Sequence, residues 1–101
     1  MKVILNTRDC THCGEKDAGV MAGIVRDEIA MGNMGEDVVG HAMASVYTIV
    51  DARRPPLAGA RIPAARVYAD ICKKCGREFN FLIEQGRATL PLRPGDIPIF
   101  S

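Results

Sequence analysis

Tryptophan is absent from this chain, and only five residues, two Tyr and three Phe, are aromatic. A core without large rings must be filled by Val, Ile, Leu, Ala and Met, whose smaller areas bury less apolar surface per residue. No stretch approaches the ~18 apolar residues that a membrane helix needs, so no bilayer span is expected. The start, "MKVILNTRDC", carries too short an apolar run for a secretory leader, and a cytoplasmic protein, or a component of a particle assembled there, is the expectation. Also missing are G-x-S-x-G, a P-loop, H-E-x-x-H and a Gly-rich dinucleotide turn. Asp27 and Glu28 are adjacent, so on a helix they diverge and cannot act as a carboxylate pair. No catalytic activity is expected.

What remains is 101 residues, one domain's worth, with 48% hydrophobic and 25% charged residues. The net charge of +1 conceals an uneven distribution. Positions 1–50 hold four Lys or Arg against seven Asp or Glu, and positions 51–101 hold nine against five. Arg66, Lys73, Lys74 and Arg77 in the second half are candidate nucleic-acid or anion contacts.

The four cysteines fall in two identical units, "CTHCG" and "CKKCG", with 58 residues between Cys13 and Cys72. In a reducing compartment such pairs are more often metal ligands than disulfides. A C-x-x-C turn aims both sulfurs to one side, and turn N–H groups donate to them. The following Gly accepts a positive φ. Cys10, Cys13, Cys72 and Cys75 would then supply four sulfur ligands to one tetrahedral Zn²⁺, a closed structural site. Four thiolates and one Zn²⁺ sum to −2, and Arg8, Lys73, Lys74 and Arg77 stand nearby in sequence to balance it. Iron held as in rubredoxin and a redox-active dithiol are the rival chemistries for the same residues. His12, between two ligands, is expected to point outward, and His41 to be structural.

Local patterns supply the frame. "KVILN" reads as a strand at 2–6. Val20, Met21, Ile24, Val25 and Ile29 recur at helical spacing, with Asp17 as N-cap and Gly32 or Gly35 as stop. Residues 38–52 fit either a helix or a strand; the β-branched run "SVYTIV" favours a strand at 43–51. "PPLAGARIPA" reads as a loop. Alternation in "ARVYADIC" and "REFNFLIE" predicts a hairpin over 66–84 with "CKKCG" at its tip. Val67, Ala69 and Ile71 form its inner side, and Arg66, Tyr68 and Asp70 its outer side. "QGR" then turns the chain before a short strand in "ATLPL".

Two C-x-x-C-G knuckles, one at a hairpin tip, resemble those of zinc ribbons. The resemblance covers about a third of the chain, and the gap between knuckles is longer than ribbons usually have. It implies a zinc-ribbon-like antiparallel hairpin or sheet with one inserted helix; three prolines in eight residues of "LPLRPGDIPIFS" add an extended Pro-rich arm at 90–101, and the whole is an α+β fold. Residues 1–101 form a single zinc-binding domain on this reading. Ile97, Ile99 and Phe100 on the arm are candidate protein contacts, either with their own domain or with a neighbour. The function expected is a non-catalytic structural-zinc protein, a small interaction or assembly subunit that docks on a protein partner or on further copies of itself, of a large particle or virion among others. Nucleic-acid binding is the alternative, and redox chemistry a third.

Overall fold

The computed structural model describes residues 1–93 and 95–101; Pro94, within the expected arm, lies outside them. The chain forms β1 (Lys2–Asn6), α1 (Val20–Ala30), β2 (Met43–Thr48), β3 (Arg61–Ile71), β4 (Glu78–Thr89) and β5 (Ile99–Phe100). The five strands make one antiparallel sheet in the order β1-β4-β3-β2, and β5 pairs the far end of β4. With one helix at its end, this is an α+β arrangement. No helix among the described residues is long and apolar enough to cross a membrane.

The sheet is built on the β3–β4 hairpin, which is longer than its alternation predicts: it runs from Arg61↔Thr89 to Ile71↔Glu78. "QGR" does not turn the chain but continues β4, and "ATLPL" contributes only Ala88 and Thr89 to that same strand. Four residues of the expected loop, Arg61–Ala64, start β3. Pro63 is tolerated inside β3 because its backbone faces β2, where its carbonyl accepts from the Ile49 N–H at 3.1 Å. Its missing N–H therefore takes nothing from the β4 ladder. The ambiguous segment is a strand, ending at Thr48 rather than at 51.

A register shift between Tyr68 and Ala69 changes which side chains face inward. Tyr68 pairs Leu82 while Ala69 pairs Asn80, so Phe81 is the extra residue of a β-bulge. The bulge flips the inward-facing residues of β4 alone, from Phe79 and Phe81 to Leu82 and Glu84. β3 alternates without a break, but its faces are the reverse of those expected. Arg66, Tyr68 and Asp70, expected outside, lie on the inner side with Ile62 and Ala64, Asp70 fully buried, and Ile71, expected inside, is 39% exposed. Phe79 and Phe81 are buried beside Cys10, Ala18 and Cys72, with Val39, Tyr68 and Leu82 packed against them. The best-buried cluster thus sits where the two knuckles meet the sheet.

The helix begins without a cap of its own. Gly19 occupies the N-cap position and offers no side chain, while Asp17, the expected cap, sits at φ 47 and pairs with Arg26 instead. The acceptor comes from β3. Asp70 Oδ1 and Oδ2 accept the Met21 and Ala22 N–H groups, each at 3.0 Å, and Oδ1 also accepts the Ile71 N–H at 2.7 Å. A carboxylate there satisfies orphan donors and meets the positive end of the helix dipole. At the other end Gly32, at φ 80, stops the helix as the pattern predicts.

Candidate metal centre

The two knuckles have the same internal geometry. In the first, Gly14 N–H donates to the Cys10 carbonyl at 3.1 Å; in the second, Gly76 N–H donates to the Cys72 carbonyl at 3.0 Å. Both glycines lie at positive φ, 76° and 73°. Cys10 Sγ accepts from the His12 and Cys13 N–H groups at 3.4 and 3.5 Å. Cys72 Sγ accepts from Lys74 and Cys75, both at 3.4 Å. The first Cys of each pair is buried and the second exposed. Thus each unit presents one sulfur from the core and one from the rim.

Two backbone links hold the knuckles face to face. Gly19 and Cys72 form an isolated bridge, and Lys73 N–H donates to the Ala18 carbonyl at 2.8 Å. Ala18, wholly buried, in turn donates to the Arg8 carbonyl at 2.9 Å. His12 turns outward, as expected, and its Nε2 meets the Glu78 carbonyl at 3.1 Å. His41 is exposed; its Nδ1 contacts the Val39 carbonyl at 2.8 Å and its ring meets the edge of Tyr68.

All four sulfurs fall within 4.8 Å of one another. Cys10 and Cys75 are 3.8 Å apart across the knuckles, and Cys13 and Cys72 are 3.6 Å apart. A tetrahedron with Zn–S bonds of about 2.3 Å has sulfur edges of about 3.8 Å, so a zinc-sized ion fits between them. The same separations are far beyond the ~2.05 Å of a disulfide, and all four cysteines are free. The cluster is therefore able to hold a metal ion.

The thiols differ in proton affinity. Donation from the Cys75 N–H, then from Lys74, outweighs burial and lowers the Cys72 thiol to about 6. Cys10 is lowered in the same way by the Cys13 and His12 N–H groups. For Cys13 the Glu15 N–H pulls downward, but burial and the Cys72, Cys10 and Cys75 sulfurs outweigh it and raise it to about 11. The Cys10 and Cys72 sulfurs therefore hold negative charge more readily than Cys13, whose proton a bound cation would have to displace.

The basic residues named from the sequence do not gather in one place. Arg66 lies mid-sheet, where its Nε and Nη2 donate to Glu84 Oε1 at 3.1 and 2.9 Å, directly across the β3–β4 pair. Its guanidinium also stacks on Tyr68 and Phe100, 5.2 and 4.7 Å from the ring centres. Lys73, Lys74 and Arg77 sit exposed on the second knuckle, with Lys74 3.8 Å from Glu15 of the first. Arg8 lies over the Phe81 ring at 4.6 Å. In the C-terminal segment, Phe100 is half-buried under Arg66, whereas Ile97 and Ile99 are 80% and 69% exposed. Its last residue is held against β4 by Ser101 N–H donating to the Arg87 carbonyl at 2.8 Å.

Sequence reasoning missed Asp70 and Glu84, the two buried acidic residues. One signal pointed to the first: a helix starting at Gly19-Val20 has no Ser, Thr, Asp or Asn to cap it, so an acceptor has to arrive from elsewhere. Nothing local marks Glu84, whose burial depends on the bulge three residues earlier. Compared with protein-family models, curated proteins and solved structures, the chain matches none.

Proposed function

We propose that this is a zinc-ribbon-like protein whose single Zn²⁺ is structural and whose sheet serves as a small docking or assembly subunit. The observation that carries the metal part is the closure of four thiols from both ends of the chain around one zinc-sized space. A four-sulfur shell leaves no coordination position for substrate or water, so the ion's task is to hold β1, α1 and the hairpin together rather than to catalyse. The docking part rests on uncovered apolar surface. One sheet face presents Met43, Tyr47 and Ile4 at 49%, 63% and 54% exposure, beside Ile49 at 73%. A shallow groove of about 310 Å³ runs among Ile4, Tyr47, Ile49 and Pro63. Contiguous apolar surface of this kind marks a contact site more often than a free surface.

Two measurements test this reading. Elemental analysis of the purified chain should give one zinc per chain, and Cys75→Ser should lose it; a full complement of zinc in that variant would remove the ligand assignment. Covalent footprinting of Tyr47 should fall when the chain is labelled within its native cells, relative to the dilute purified protein. Equal labelling in both would count against a docked state.

A further inference from the structure

The sheet has two long edges, and they differ. β1 is blunted: its register against β4 breaks between Val3 and Leu5, and it begins with Lys2. Bulges and edge lysines are the usual means of preventing strands from pairing with strangers. Within β2 neither is present; an irregularity lies just before it, where the Ala42 N–H donates to the carbonyl of Ala69, the partner of Met43, at 2.9 Å. The register of β2 against β3 is unbroken from Met43↔Ala69 to Thr48↔Ala64. The stretch Ala42–Val50 contains no charge, no Pro and no Gly. Because the Ile49 N–H faces Pro63 of β3, antiparallel alternation turns the backbone groups of Ala44, Val46 and Thr48 outward. Among the described residues no loop backbone bonds to them.

Building on the docking role proposed above, we infer that the partner on this edge is a second copy of the chain, joined β2 to β2 about a two-fold axis at Val46. Antiparallel pairing places Ala44 opposite the partner copy's Thr48 and Val46 opposite itself, and the outward N–H and C=O groups of both strands find each other. No like charges meet along the strand. The ends are complementary as well. Glu36 and Asp37 precede the edge, Arg53 and Arg54 follow it, and none of the four forms an ion pair within the described chain. The two-fold brings the acidic end of one copy to the basic end of the other, whereas parallel pairing would oppose like charges. Met43 and Tyr47 of both copies would then line one continuous sheet face.

The dimensions agree with an incomplete unit. The radius of gyration is 16.2 Å, against about 13 Å for a compact chain of this length. The accessible surface is 7012 Å², roughly a quarter above the ~5,600 Å² expected of a monomer of this mass. A standard interface covers about 800 Å² per partner, which would account for roughly half of the excess.

Light scattering on the zinc-loaded full chain over a dilution series should report twice the 10.9 kDa chain mass. Val46→Pro removes an outward N–H and no bond of the β2–β3 ladder, so it should keep its zinc and circular dichroism yet run at the single-chain mass. Reversing the acidic end (Glu36→Lys, Asp37→Lys) should weaken the dimer, and adding Arg53→Glu with Arg54→Glu should restore it. A single-chain mass for the unaltered protein would overturn the inference and leave the footprinting test of docking standing. A folded Val46→Pro protein that remains dimeric would overturn the β2 edge as the contact. If Val46→Pro fails to fold, the charge reversal and its rescue decide the matter alone: no weakening, or no rescue, overturns it.

Discussion

Asp70 shows how much one side chain can carry. It is wholly buried and serves three backbone donors, two of them at the start of a helix that has no cap of its own. Asp70→Ala is expected to cost about 1–3 kcal/mol, the range for orphaned buried donors, with helix amides 21–24 losing protection in hydrogen exchange. Asp70→Asn keeps one carbonyl acceptor and should lose less. Denaturant titration distinguishes them, and equal stability of all three proteins would contradict the capping role. Glycines at the same corner are constrained by space. A Cβ at Gly19 would run into the Asp70 carboxylate, and one at Gly40 would stand 2.6 Å from the Met21 carbonyl and 2.7 Å from Ala22 Cα. Gly40→Ala should therefore destabilise by about 1–3 kcal/mol, the overpacking range, despite the lower chain entropy of Ala in the unfolded state.

At the level of elements, β5 depends on a gap in β4. Gly86 leaves room for the chain end: a Cβ there would lie 2.7 Å from the Ser101 carbonyl and 3.0 Å from the Phe100 ring. Gly86→Ala should release residues 99–101 from β4 while leaving the β3–β4 hairpin intact, seen as faster carboxypeptidase trimming at unchanged zinc content. Unaltered trimming would mean that β4 absorbs the methyl group without shifting β5. The Arg66–Glu84 pair joins the same strands on the inner face, with side chains 30% and 11% exposed. Partial exposure moderates its worth, since solvent screens such pairs. Glu84→Gln should still destabilise, because Arg66 would keep a half-buried charge with a weaker acceptor.

For the molecule as a whole, the metal is expected to decide whether the corner exists. Structural zinc can contribute ~10–16 kcal/mol in small metal-dependent peptides, as much as the entire stability of a typical domain. Removing it with a chelator should lower the melting temperature sharply and free the first knuckle from Lys73 and Cys72, while part of the β3–β4 ladder persists. Because ligation displaces thiol protons, affinity for the metal must fall as pH falls. Competition with a zinc-sensitive dye across a pH series should show release on acidification, and affinity independent of pH would exclude thiolate ligation.

The four-cysteine cluster was legible from residue order alone, since C-x-x-C-G is a local motif whose turn geometry and glycine φ follow from adjacent residues. The strand at 2–6, the helix stop at Gly32 and the existence of the hairpin were legible for the same reason: each rests on neighbours in sequence. The face that each hairpin residue takes, the cap on α1 and the length of β3 and β4 were decided in three dimensions. One bulged residue at Phe81 reverses the alternation within β4, packing decides which side of β3 faces inward, and a carboxylate from β3 completes a helix that starts about fifty positions earlier. Such features arise from contacts distant along the chain, whose energies no local pattern records.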